Sequence, residues 1–357
     1  MNSFKFILQY LKKYKYRYFA GVVTLFIVDF MSLLIPKITG TIIDKLTLNN
    51  VTMKNIYIYI LGIIIVGVII AIGRFFWRFF IFGAARNIEK EIRNGMFKHL
   101  EKMSVEYFNE HKAGDLMTRF LSDLTAVRKA IGPTVITIFD ATIMTLMVIV
   151  QMMIYVNIKL TLIAIIPMFL ICVSEIYYGK LMEKRFKQSQ EAISSMADFV
   201  QESFSGVRVI KAFVRERAEF YKFNTANLLT KQKNLRVVKL QAITMPLLDV
   251  IIGLSSLATL IYGGYLAIVG KITLGKFVAF NQYVSMLVWP MLACGETITM
   301  LSQGGASLKR IKDIFDEKPE IFDRCDVEDI EKINGKIEFK NLTFIHRGDS
   351  EPTLNNI

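Results

Sequence analysis

The sequence predicts an all-α membrane protein, with six transmembrane helices that run on into long cytoplasmic helical extensions and a short β segment at the end. Three observations carry this fold class. The chain of 357 residues is 53% hydrophobic with a mean hydropathy of +0.40, too apolar for an ordinary soluble domain. Six apolar runs reach the roughly 20 residues that a bilayer core requires: about Phe19–Ile38, Ile56–Phe82, Ile131–Tyr155, Leu160–Tyr178, Ala242–Ile268 and Lys276–Leu301. Two polar stretches between these runs keep helical periodicity, so membrane helices continue into water and turn back.

The N-terminal residues 1–18 place Phe4, Ile7, Leu8 and Leu11 on one helical face, with Lys5, Lys12, Lys13 and Lys15 among the polar positions. This reads as an interfacial helix leading into the first span, with a plain basic tail as the alternative. The second span ends in RFFWRFFIF (Arg74–Phe82), aromatics and two arginines at headgroup level. The first stalk, 83–130, is a helix through NIEKEIRNGMFKHLEKM, a break at Glu110–Gly114, and a returning helix for which Asp115 is the expected N-cap. The second stalk, Gly179–Gln241, consists of two helical arms meeting at Ser203-Phe204-Ser205-Gly206. At ~1.5 Å per residue each arm projects on the order of 35–50 Å. The six-span region covers 19–303. A linker with a short amphipathic helix (Leu308, Ile311, Ile314, Phe315) stopped at Pro319 is expected over 304–334. The alternation Ile337, Phe339, Leu342, Phe344 in 335–357 is strand grammar, the beginning of a domain too short to bury a core.

A formal charge of +13 raises a nucleic-acid partner as a possibility. The basic residues flank apolar spans and form no single patch, so topology explains them better. Lysine and arginine crowd the N-terminal segment and both stalks, whereas the opposite loops offer only Lys45, Lys54, Lys159 and Lys271. Both termini and both stalks are therefore expected to be cytoplasmic. Three scattered cysteines without a CxxC or His/Cys cluster argue against disulfides and metal sites.

Five motifs, in order, resemble the membrane half of an ABC exporter, closest to the bacterial multidrug-type half-transporters. LLIPKITGTIID (Leu33–Asp44) is similar to the end of that family's first span. YFNEHKAGDLMTRFLSDLTAVR (Tyr107–Arg128) and ESFSGVRVIKAFVRE (Glu202–Glu216) are similar to its two intracellular loops. ITLGKFVAFNQYV with Trp289-Pro290 resembles its sixth span, and ASLKRIKDIFDEKPEI its linker to the nucleotide-binding domain. The resemblance implies the ABC exporter type 1 fold and a dimer with a second half-transporter, the same or different. Nucleotide-binding domains would dock at stalk tips near Gly114, Asp115 and Arg119, and near Ser203, Gly206, Arg208 and Lys211. It further implies ATP and Mg in the full-length protein, an ABC-type ATPase that moves amphiphilic drugs, lipids or peptides out across the cell membrane by alternating access. The family's adenine-stacking aromatic aligns with His346. The phosphate-binding pattern GxxxxGK[ST] does not occur, so this chain alone is expected neither to hydrolyse ATP nor to bind a cofactor.

Asp29, Asp140, Asp249 and Glu296 lie within apolar spans, where a carboxylate costs at least ~2.5–3.5 kcal/mol. They read either as a cation-preferring or proton-coupled substrate cavity or as neutral acids hydrogen-bonding between helices. Methionines and aromatics of the third and sixth spans (Met144, Met147, Met286, Phe280, Tyr283, Trp289) either line an adaptable pocket or simply pack, and Pro290 is a candidate kink. Two other classes compete: a motor-less secondary transporter or channel using the intramembrane carboxylates, and a membrane sensor. Inverted repeats with broken helices would favour the first, and none is seen: the two stalks repeat in parallel sense.

Overall fold

Hydrocarbon offers a backbone no hydrogen-bond partner, so an apolar run must satisfy its own N–H and C=O groups as helix. The computed structural model describes residues 3–48, 52–319, 335–345 and 351–357. Among them, six helical tracts are long and apolar enough to cross a membrane. After α1 (Ser3–Lys13), the first tract is α2 (Lys15–Ser32) and α3 (Leu34–Thr47), and the second is α4 (Met53–Leu100). Short α5 (Val105–Glu110) precedes the third, made of α6 (Ala113–Thr118), α7 (Leu124–Ile131), α8 (Pro133–Phe139) and α9 (Thr145–Tyr155). Within that tract π-helical turns occupy Arg119–Asp123 and Asp140–Met144. The fourth is α10 (Ile158–Ser205). The fifth is α12 (Glu216–Ala258) extended through a π-helical turn and α13 (Gly264–Ile268), with α11 (Val207–Ala212) between them and α10. The sixth is α14 (Leu274–Asp316).

The lengths make the stalks. Both α4 and α10 have 48 residues, about 72 Å at 1.5 Å per residue against about 30 Å of hydrocarbon. Each helix therefore extends well beyond the hydrocarbon. Along the spans many large apolar side chains, such as Ile64, Ile65, Leu162 and Ile166, are exposed on the chain's surface, as lipid contact requires.

The sixth helix is the hub, packing against α3, α7, α8, α9 and α10. Phe280, Tyr283 and Leu287 of α14 are buried with Leu160, Met168 and Ile171 of α10 in the membrane core. Where α2 gives way to α3, the Leu33 carbonyl accepts a hydrogen bond from Tyr283 Oη at 2.8 Å. A second core sits at the stalk end: Ile88, Ile92 and Met96 of α4 pack with Leu124 and Val127 of α7 and with Leu308, Ile311 and Ile314 of α14. Phe6 and Ile7 of α1 are buried in this core, so at these two positions the amphipathic face meets protein rather than lipid. Lys13 Nζ and Tyr14 Oη both donate to Glu91 Oε1 at 2.6 Å, and that hydrogen bond raises the Lys13 ammonium above its ordinary value.

At the opposite end, two distant motifs form one joint. Asp44 at the end of α3 accepts from Thr273 Oγ1 at 2.6 Å and from the Gly275 amide at 2.7 Å, satisfying an otherwise orphaned donor in the first turn of α14. The helices touch backbone to backbone here. A Cβ on Gly40 would lie 2.6 Å from the Gly275 carbonyl oxygen, and one on Gly275 would collide with the Gly40 carbonyl.

Three expectations about local structure need correction. Residue 304 is no boundary in secondary structure, because α14 runs unbroken from the sixth span through Pro290 to Asp316. Its Leu308–Ile314 face is held by the stalk core, which removes any reason to stop earlier. Asp115 is not an N-cap: α6 starts at Ala113, which makes Lys112 the capping position and leaves Asp115 within the first turn. There it forms an ion pair with Arg119 at 3.0 Å. The strand expected from Ile337 pairs only further on, where Phe344 bridges antiparallel to Leu354 and Leu342 exchanges hydrogen bonds with Ile357.

Candidate functional site

Two places combine chemistry with position: the stalk tips and a cavity among the spans. At the first tip, Gly114, Asp115, Met117 and Thr118 of α6 are exposed, while Leu116 is buried in the stalk core with Tyr107 of α5. Arg119 joins this tip to the end of the sixth helix. Its guanidinium pairs with Asp115 and reaches the Arg310 carbonyl at 3.5 Å. Four residues on, Asp123 is 4% exposed and accepts from Ser307 Oγ at 2.9 Å and from both Nε and Nη2 of Arg310. A bidentate arginine on a carboxylate fixes both position and orientation. These contacts join the first tip to α14.

The second tip is held differently. α10 and α12 pack chiefly on each other along the stalk, through Ser189 Oγ to Asn234 Oδ1 at 3.4 Å, Thr230 Oγ1 to the Ala192 carbonyl at 3.2 Å, and Ser203 Oγ to Glu219 Oε1 at 3.0 Å. Between them lies α11, with Arg208 and Lys211 exposed and Lys211 paired to Glu216 at 2.9 Å. Phe204, Val209, Phe213 and Phe220 project into solvent at this tip. Gly206 takes φ −91°, which any residue adopts, whereas Val214 is 81% exposed and sits at φ +50°. A β-branched residue in the left-handed region is a backbone outlier of the kind found at functional sites. Composition offers no sign of it.

Among the spans, a cavity of about 820 Å³ is lined by parts of α2, α3, α4, α8, α14 and the π-helical turn that Asp140 opens. Asp29 and Asp140 both line it. Asp29 is 6% exposed and its Oδ2 has no hydrogen-bond partner. Arg74 and Arg78 line it too, with Trp77 Nε1 another buried group without a partner. The other two carboxylates are elsewhere: Asp249 and Glu296 are exposed on the chain's surface and neither lines this cavity. His346 lies outside the described residues. Among the described residues no group of three or more His, Cys, Asp or Glu is arranged to hold a metal.

Sequence reasoning missed Asp123, Ser307 and Arg310, although Asp115, Arg119 and Asp123 recur at four-residue spacing and so share one face. It also read Arg74 and Arg78 as a headgroup belt. Their position four residues apart on α4, flanking Trp77, was the available signal for a common wall.

The chain resembles known proteins along its whole length. The family described as ABC transporter transmembrane region matches residues 18–291. The probable multidrug resistance ABC transporter ATP-binding/permease protein YheI of Bacillus subtilis (strain 168) is 32% identical over 348 residues, covering 98% of this chain and 59% of that protein. Multidrug resistance-like ATP-binding protein MdlA of Escherichia coli (strain K12) is 29% identical, over 100% of this chain and 60% of its own length. The ATP-dependent lipid A-core flippase of Syntrophus aciditrophicus (strain SB) is 28% identical over 76% of this chain and 45% of its own. The chain thus spans about 60% of the length of the first two relatives. A family match that begins at the first span and ends within the sixth, on six helices carrying two stalks, places this chain among the ABC transporters as the transmembrane half of an exporter-type member.

Proposed function

We propose that the chain is the membrane half of an ATP-driven exporter that moves amphiphilic drugs, lipids or peptides out of the cytoplasm by alternating access. The observation that carries this reading is the pair of stalks, each ending in an exposed tip outside the bilayer. The second tip displays aromatic side chains that nothing on the chain covers, and an exposed apolar patch of this kind marks an interaction site. Nucleotide-binding domains are the partners that fit, and ATP and Mg belong to them. The described residues supply no phosphate-binding loop, so nucleotide chemistry is assigned to none of them; His346 is the position left for an adenine contact.

In this reading both termini and both tips face the cytoplasm of a cell with the chain in its plasma membrane, as the lysine and arginine asymmetry of the loops supports. A second half-transporter completes the central cavity and would cover Asp249 and Glu296. Asp29 and Asp140 belong to the substrate path. Domain closure would pull on α6 and α11, and the Asp115–Arg119–Arg310–Asp123 chain would carry the first of these movements into the sixth helix. A motor-less transporter would have no use for Phe204, Phe213 and Phe220 in water.

The test uses the transporter with its nucleotide-binding domains, reconstituted in proteoliposomes. Gly206→Pro, or Arg119→Glu, is expected to lower substrate moved per ATP hydrolysed at least tenfold while membrane insertion is retained. An unchanged ratio in both variants would refute the role of the tips.

A further inference from the structure

The wall of the large cavity carries a specific arrangement of charge. Asp29 and Asp140 face the same space as Arg74 and Arg78, and among the described residues none of the four forms an ion pair. Two carboxyl and two guanidinium groups therefore line one space without an ion pair among them. Asp29 is more than nine-tenths buried with Oδ2 lacking a hydrogen-bond donor, and the buried Trp77 Nε1 lacks an acceptor. One orphan acceptor and one orphan donor in the same cavity ask for a ligand that offers both. Arg78 also lies over the Trp77 ring at 5.1 Å, leaving its guanidinium edges free for an anion.

We propose that this cavity takes zwitterionic amphiphiles, with the anionic group on Arg74 and Arg78 and the cationic group on Asp29 and Asp140. A pure cation drawn to the carboxylates would meet two guanidiniums, and a pure anion would meet two carboxylates. A headgroup carrying both charges offsets all four, and its apolar tail lies against the mostly aliphatic remainder of the wall. The volume of about 820 Å³ falls in the range of pockets that enclose one drug-sized molecule. A groove along α4 lined by Arg74, Arg78 and Arg86 shares two of these arginines with the cavity and lies on the exposed side of the helix. It gives a phosphate a path of positive charge from the bilayer into the cavity. The assignment deepens the exporter reading and rests on it for its biological meaning, though binding itself needs no nucleotide.

The chain supplies its own reporter, since it has two tryptophans and both, Trp77 and Trp289, line this cavity. The full chain in maltoside micelles is titrated with three single-tailed amphiphiles of equal length as minor components, bearing phosphocholine, trimethylammonium or phosphate headgroups. Tryptophan emission is expected to saturate at about tenfold lower mole fraction for phosphocholine than for either singly charged analogue. The double variant Asp29→Asn, Asp140→Asn should shift the preference to phosphate, and Arg74→Gln, Arg78→Gln to trimethylammonium. Competition by two-tailed phosphatidylcholine would support a membrane lipid as the source, and failure to compete would support a single-tailed amphiphile. Equal saturation by all three analogues of the wild-type chain, or a preference for a singly charged one, overturns the proposal even if no variant folds. An unchanged transport-to-ATP ratio in Gly206→Pro and Arg119→Glu, with the headgroup preference intact, would overturn the coupling on which the exporter reading rests and leave this one standing.

Discussion

Substituting alanine for Gly40 tests the joint between the first and sixth spans. Its Cβ would lie 2.6 Å from the Gly275 carbonyl oxygen and 3.1 Å from Ala279 Cβ, whereas ordinary contact begins at 3.4 Å. The helices must therefore part by about 0.8 Å at this level. The Gly275 amide now 2.7 Å from Asp44 Oδ1 would then stand about 3.5 Å away, outside ordinary hydrogen-bond range. Overpacking costs about 1–3 kcal/mol and a lost bond to a charged acceptor about 1.5–3 kcal/mol, so the variant should lose about 3–5 kcal/mol. Asp44→Ala removes the same bond by another route. The double variant should therefore cost about 1–2 kcal/mol less than the two single effects combined. Reversible unfolding titrations in mixed micelles, read by tryptophan emission, measure all four corners of this cycle. Additive effects within about 0.5 kcal/mol, or a Gly40→Ala midpoint equal to wild type, would refute the shared joint.

Other outcomes follow from the stalks and the topology. Asp123→Asn keeps the shape of the side chain but removes the charge facing Arg310. Because Arg310 is half exposed and can hydrate, the same titration should show a loss of only about 1–2 kcal/mol. Val214→Gly relieves a left-handed β-branched residue and should stabilise the second tip by about 1 kcal/mol, read as slower amide exchange over 207–216. Faster exchange there would mean that Val214 is held by contacts, not tolerated as strain. In a background without native cysteines, Lys271→Cys should react with an impermeant thiol reagent in intact cells and Ser205→Cys only after permeabilisation. Labelling of Ser205→Cys from outside would invert the topology.

Much of the fold was legible because its signals are local. A run of about 20 apolar residues spans a bilayer wherever it occurs, and helical periodicity persisting into water makes a stalk regardless of its neighbours. Hence the six spans and both stalks follow from the sequence alone, and so does the placement of Gly114, Arg119, Ser203 and Gly206 near their tips. Pairing is not local. Asp29 and Asp140 share a cavity while Asp249 and Glu296, equally polar and equally embedded in apolar runs, lie on the surface. Sequence position fixes the face a residue occupies on its own helix, but not the rotation and tilt of that helix against five others, which packing decides. The same reason hid Asp44 from Thr273 and Gly275, about 230 residues away, and Asp123 from Arg310. Each was visible as a polar residue in an apolar or basic stretch, and only the tertiary arrangement of the helices supplied its partner.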